Sequence, residues 1–486
     1  MQRRPRYNGA LRLALRRQKM ELIMASTTSD ARVAALSRYT AELRYEDLPP
    51  ETIHETKRKL IDALGCAIGA FDDEPCRIAR AIARRAVGTP PARVLGTLQP
   101  STPELAAFAN GVMVRAQDYN DSYLAGSSCH PSDAIPAVLA AAEAAHCDGR
   151  TLITAVVAAY EASCNFADIM TREQGWDNTF FDTIGSALGS ARAFELDAGR
   201  SAHALALAIT PNLALGQTRL GELSMWKGCA AANAARNGIF AAMLAQDGIT
   251  GPQNTISGRW GLQRVFGPFE WAPFGGRGGP FRIAETHLKF YPAVVHAQSP
   301  VAVALKLYGH IKTDDIKSVT IDSYWVAKRY TDSERAASLW NPQTRETADH
   351  SIVWLVAAVL LDGNLTAASF SETRIRDPRL VALMKKIIIR ENPEYTKAYP
   401  ARWPCTITIE SNGGARETAS VEYFKGHYLN ALSDTEVEEK FRTLTAGLLE
   451  ERQSDAALKT LWNLEKLDDA GKILDDLAVA PARPGS

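Results

Sequence analysis

A mainly α-helical fold, with a large all-helical domain and a smaller α+β domain, is predicted by three features of this sequence. Ala-rich segments with helical spacing dominate residues 30–248. β-rich runs occur only after a Gly- and Pro-rich crossing at residues 251–279, and helical periodicity returns over residues 434–477. At 486 residues the chain exceeds one core, so at least two domains are expected.

Residues 134–145, 152–167, 185–194 and 230–244 are expected to be helices. Alanine has the best helix propensity, and its small side chain lets helices approach closely. Pro136 suits a first helical turn, where its missing N–H costs nothing. Asp148-Gly149 is read as a helix stop. The crossing contains Gly275-Gly276-Arg277-Gly278-Gly279-Pro280 and reads as a long irregular loop, a kind that is often functional. Residues 316–324 alternate as a strand. Residues 404–411 and 417–424 form a hairpin around Asn412-Gly413-Gly414. Residues 351–361 and 380–389 look helical. The expected layout is a disordered basic extension (1–29), a helical domain (30–280), an α+β domain (281–428) and C-terminal helices (429–486) packing back on the first domain.

Composition excludes several function classes. Lys plus Arg equals Asp plus Glu, 55 against 55, so no net field favours nucleic acid or an anionic membrane surface. A small anion needs only a local cluster of cations. Seven cysteines, an odd number without any Cys-x-x-Cys, point to free thiols in a reducing compartment and away from zinc or iron–sulfur sites. No uninterrupted apolar run approaches the roughly 18 residues that span a bilayer, so no membrane partner is expected. The first 20 residues carry seven basic groups and no acid. They read as a basic extension upstream of a start at Met24, with a mitochondrial presequence as the alternative. The expected compartment is accordingly the cytoplasm, or the mitochondrial matrix under that alternative.

The stretch from Asn110 to Tyr123, followed by Cys129-His130-Pro131-Ser132-Asp133, sets Asp118, Ser122 and His130 on a segment rich in turn-formers. Four other places carry reactive groups: Met225-Trp226-Lys227-Gly228, His287-Leu288-Lys289 with His296, Arg345 to Ser351, and Trp176-Asp177-Asn178-Thr179. Each has a plain reading as well. His130 could be a surface histidine, Lys227 a snorkelling lysine, Asp118 an N-cap, Ser122 a turn hydroxyl, and Arg345–Asp349 a surface pair at i,i+4.

The words NGVMVRAQDYNDSYL…CHPSDAIPAVLAAAE, MWKGCAAANAARNGIFAAMLAQDGITGP, HLKFYPAVVHAQSPV and TRETADHS resemble the MmgE/PrpD superfamily, in order and with similar spacing. The resemblance implies a helical core, an α+β lid, an active site between them and a homodimer. It also implies catalysis without an iron–sulfur cluster, and no cofactor and no metal are expected. Matched by position, it places Asp118, His130, Lys227 and His296 in catalysis. Ser122, Asn178, Lys289 and Arg345 are expected to bind substrate. Relatives usually carry a histidine where this chain has Asn178. The implied activity is a hydro-lyase that dehydrates a small hydroxy tricarboxylate such as 2-methylcitrate by general acid–base catalysis. Rival readings are a cis-aconitate decarboxylase, a small-diacid epimerase, and a non-catalytic binder on the same fold.

Overall fold

The structure is a computed structural model that describes residues 30–170, 175–332 and 336–480. The basic extension lies outside the described residues. The principal helices of the first part are α1 (Ala31–Glu42), α2 (Pro50–Gly69), α3 (Pro103–Arg115), α4 (Ile135–Ala144), α5 (Gly149–Ile169), α6 (Thr179–Ala193), α7 (Ala198–Ile209) and α8 (Trp226–Gln246). Helix α6 is the central one and packs against α5, α7 and α8. Small residues make that possible. A methyl group on Gly238 of α8 would lie 2.6 Å from the Thr183 carbonyl oxygen, and one on Gly189 of α6 would lie 2.6 Å from Val138 Cγ2. Larger side chains would force these helices apart.

Helix α6 begins six residues before the predicted start. Thr179, Phe180 and Phe181 are all buried, so no polar stripe marks that turn in the sequence. Asp148 does not stop a helix; its side chain accepts from Thr151 N (2.8 Å) and caps the start of α5. Helix α5 has the length and hydropathy of a membrane span, but 89% of its most apolar window is buried inside the protein. The helical part is not purely helical. Ala92–Val94 pairs with Gln99–Ser101, and Tyr123–Leu124 pairs with Ser128–Cys129. The stretch from Asn110, rich in turn-formers, is helical as far as Arg115.

The crossing at residues 251–279 is tied down by Trp271 Nε1 donating to the Arg32 carbonyl (2.9 Å) and Gly275 N donating to Glu161 (2.9 Å). Its aromatic side chains cover Phe166, with Trp271 edge-on at 4.8 Å. The crossing therefore shields a core.

The second part holds a four-stranded sheet: β1 (Ile316–Ser323), β2 (Ile387–Glu391), β3 (Cys405–Ser411) and β4 (Arg416–Val421), in the order β2-β1-β3-β4. β1 and β2 are parallel; the other pairs are antiparallel. Helices α9 (Gln298–Leu307) and α10 (Ile352–Asp362) pack together, and Trp354 and Trp403 lie in their shared core with the sheet. The segment predicted as one helix over 380–389 is in fact a helix, Pro378–Met384, followed by β2. Ile387 and Ile389 are buried while Ile388 is exposed. A β-branched run beside β1 gains ladder bonds and burial of one face that a continued helix would forgo.

Helices α11 (Asp434–Thr445) and α12 (Glu451–Trp462) return to the first part, with α11 lying on α2. Ser433 and Glu436 form a reciprocal capping box at the start of α11. Buried Lys440 of α11 pairs with Asp62 (2.6 Å) and donates to the carbonyls of Tyr119 (2.9 Å) and Lys289 (2.8 Å). It thereby ties the C-terminal helix to both segments that build the site.

Candidate active site

The loop after α3 is fixed by its own polar side chains. Buried Asp121 accepts from Ser132 N (3.1 Å), Ser132 Oγ (2.6 Å) and Tyr160 OH (2.8 Å). Asn120 donates to Asp133 (2.8 Å) and Ser132 Oγ (2.9 Å). His130 Nδ1 lies 2.6 Å from the Asp121 carbonyl. A carbonyl only accepts, so Nδ1 carries the proton and Nε2 the lone pair when the ring is neutral. Burial, reinforced by Arg115 and Lys289, holds His130 well below the usual imidazole range, so the neutral ring is the resting form.

Asp118 is the hub. Its backbone is left-handed, at φ +48°, which turns the side chain back toward Arg115 one turn earlier. Arg115 donates directly to Oδ1, and Lys289 Nζ (3.1 Å) and Lys227 Nζ (3.4 Å) reach the same oxygen. Lys289 also donates to the Asp118 carbonyl (2.7 Å). Burial would raise this carboxyl, but Arg115, Lys227, Lys289 and His350 together hold it well below the carboxylate range. The lysines feel the converse. Burial lowers Lys289 to about 8, against the pull of Asp118, and lowers Lys227 against Asp118 and Asp349.

The opposite wall comes from the second part. Ser122 and His287 exchange backbone hydrogen bonds (2.9 and 2.8 Å), which docks the Lys289 segment onto the loop. Gln298 Oε1, at the start of α9, accepts from Phe290 N and Tyr291 N (both 3.1 Å), and Val294 N donates to the Asp349 carbonyl (2.9 Å). His296 stacks on Trp403 at 5.3 Å and meets Tyr324 OH through Nδ1 at 2.9 Å. His350 Nδ1 pairs with Asp349, whose carboxyl burial raises to about 7 in spite of Lys227.

Between these walls is a cavity lined by Asp118, Ser122, His130, Asn178, Lys289 and His296, six of the eight residues singled out from sequence. Lys227 sits just behind, on the Asp118 carboxylate, and makes no part of the lining. Arg345 does not line the cavity either. It faces Asp73 (3.8 Å) and covers the Phe370 ring at 5.3 Å. It forms no surface pair with Asp349, which is fully buried. The cavity also recruits Arg115, Arg219, His350 and Ser128. Arg219 is held by Asp177 (2.8 and 3.2 Å), next to Asn178. Arg115 and His350 lie inside the quoted sequence words, where neither spacing nor composition sets them apart; Arg219 lies in an unremarkable polar turn.

Three cations (Arg115, Arg219 and Lys289) thus line the cavity against a single carboxylate, Asp118. Such a lining can meet an anionic group. Asp118, Asp349 and His350 bring potential metal-ligand atoms within 4.8 Å of one another. Arg115, Lys227 and Lys289 already occupy the Asp118 carboxylate, so a divalent cation there would face three like charges.

Residues 34–272 match the MmgE/PrpD N-terminal domain, and residues 291–466 match the MmgE/PrpD C-terminal domain. The chain belongs to the MmgE/PrpD family. Proteins similar to it include a 2-methylcitrate dehydratase of Cupriavidus necator, 29% identical over 87% of this chain and 92% of that protein. The 2-methylcitrate dehydratase of Escherichia coli K12 is 30% identical over 76% of this chain and 80% of its own length. Human cis-aconitate decarboxylase is 26% identical over 91% of this chain and 93% of its own length. All three are named for reactions on small carboxylic acids.

Proposed function

We propose that this protein is a cofactor-free hydro-lyase that dehydrates a hydroxy tricarboxylate such as 2-methylcitrate. Dehydratases and decarboxylases are both lyases, and the chain is a lyase by its family and its similarity to them. The observation that carries the finer reading is the cation-rich cavity with histidines on both walls.

Dehydration breaks a C–H bond next to a carboxylate and the C–O bond beyond it. His130, neutral with its lone pair on Nε2, is the group suited to accept the proton. His296 is then the acid that protonates the departing hydroxide as it leaves as water. With Tyr324 OH at its Nδ1, the nitrogen for that transfer is Nε2. Lys289, Arg115 and Arg219 hold the carboxylates and the enolate-like charge that grows as the proton leaves. Lys227 keeps the Asp118 carboxylate in place from behind. The second part closes one side of the cavity as a lid, which would exclude water and strengthen each contact.

Cis-aconitate decarboxylation is the second reading, favoured by the match to the human decarboxylase over 91% of this chain. It would use the same carboxylate-holding groups. Supplying each acid to the purified protein, and following alkene absorbance and release of CO₂, separates the two. A homodimer is also part of the proposal. Residues 213–226 expose Leu213, Leu215, Leu220, Met225 and Trp226 to solvent, apolar surface that a second copy would cover.

A further inference from the structure

Asn178 lines the cavity, and its surroundings make it specific. Its loop is anchored by Asp177, which donates through N to the Ala214 carbonyl (2.9 Å), accepts from Thr179 N (3.0 Å) and pairs with Arg219. The Asn178 side chain donates through Nδ2 to the Ser128 carbonyl at 2.7 Å. That carbonyl can only accept, so the amide cannot be turned over, and Oδ1 must point the other way. Oδ1 is fully buried, has no partner among the described residues, and belongs to a residue that lines the cavity. Around it the lining is rich in cationic donors: Arg115, Arg219 and Lys289. A carboxylate therefore has many places to go in this cavity, and Asn178 Oδ1 is not one of them. What Oδ1 needs is a donor.

We propose that Asn178 reads the hydroxyl group of the substrate: its amide oxygen accepts from the hydroxyl that is lost in the reaction. The inference rests on the hydroxy-acid reading above. A hydroxyl that donates to Oδ1 turns its lone pairs away from Asn178, where an acid can protonate them. The hydroxyl oxygen keeps its own hydrogen, takes one proton from the acid and leaves as water, while the C–H proton stays on the base. Asn178 exchanges no proton; it selects and orients. A polycarboxylate without the hydroxyl would leave Oδ1 buried and unpaired, a penalty of the kind that lets enzymes reject analogues lacking one polar group.

The test is a matched pair of ligands, citrate and tricarballylate (the same carbon skeleton and carboxylates without the hydroxyl), titrated calorimetrically into the full-length protein. The wild type is expected to bind citrate tighter by roughly ten- to a hundredfold. Asn178→Ala is expected to bring citrate down to the affinity of tricarballylate and to leave tricarballylate nearly unchanged. Equal affinities in the wild type overturn the proposal, and so does a variant that weakens both ligands alike. Equal wild-type affinities overturn it even if the variant fails to fold. If both ligands bind equally, only the role of Asn178 falls. If neither binds, the tricarboxylate reading falls and takes this one with it.

Discussion

Changing Asp118 to Asn keeps the shape of the side chain and removes the charge on which the site is organised. In the wild type this carboxylate meets Arg115 directly, Lys289 at 3.1 Å and Lys227 at 3.4 Å, all with almost no exposure to water. Two unit charges 4 Å apart interact by about 4 kcal/mol at an effective dielectric of about 20. Removing one partner from a buried pair costs about 3–5 kcal/mol overall, because the remaining charge is stranded. D118N should therefore lose about 3–5 kcal/mol of stability in urea denaturation at neutral pH. The loss should also depend on pH. Burial has already lowered Lys289 to about 8, and Asp118 is the leading group opposing that fall. Without Asp118 its ammonium gives up the proton at lower pH. Between the folded and unfolded pKa values of a lysine the unfolded chain binds more protons, so stability rises with pH across that window. In the wild type the Lys289 contribution rises from about 8 toward the unfolded value of about 10.4. In D118N the rise should start at a lower pH than in the wild type. A variant within about 0.5 kcal/mol of wild type throughout would refute the picture of one carboxylate holding three buried cations.

The same lysine sets the alkaline side of activity. kcat/KM should fall as pH rises through about 8, where Lys289 loses the charge that holds a carboxylate; a profile flat into the lysine range would contradict that role. On the acid side, the depressed His130 should keep the base unprotonated well below the ordinary imidazole pKa, so kcat/KM should not decline near about 6.5 on its account. Arg219→Ala, which removes a cation of the cavity wall, should raise KM by more than about tenfold; Arg345→Ala, outside the lining, should change it by less than about threefold. Gly238→Ala places a methyl group against the Thr183 carbonyl and should cost about 1–3 kcal/mol in denaturant melts.

Periodicity was informative wherever an element has one wet side. β3 alternates buried and half-buried residues over its whole length, and the hairpin turn at Asn412-Gly413-Gly414 sits where its composition places it. Helix α6 and the break between Met384 and Ile387 were harder to read. The first is buried on every side, and the second is decided by a neighbouring strand far away in sequence. The site follows the same division. Asp118, His130, Lys289 and His296 stand out by residue type in unusual words. The tertiary path instead decides that Arg219, 42 residues from its partner Asp177, reaches the cavity, and that Arg345 turns to Asp73. The left-handed backbone at Asp118, which lets one carboxylate face three cations, leaves no trace in composition.

The most direct measurement is turnover of a panel of small acids by the purified protein, with a metal chelator present. The account predicts that 2-methylcitrate yields an unsaturated tricarboxylate and water without release of CO₂, undiminished by the chelator and lost in His130→Gln with the fold intact. Release of CO₂ from cis-aconitate with no dehydration, or full activity in the His130 variant, would contradict it.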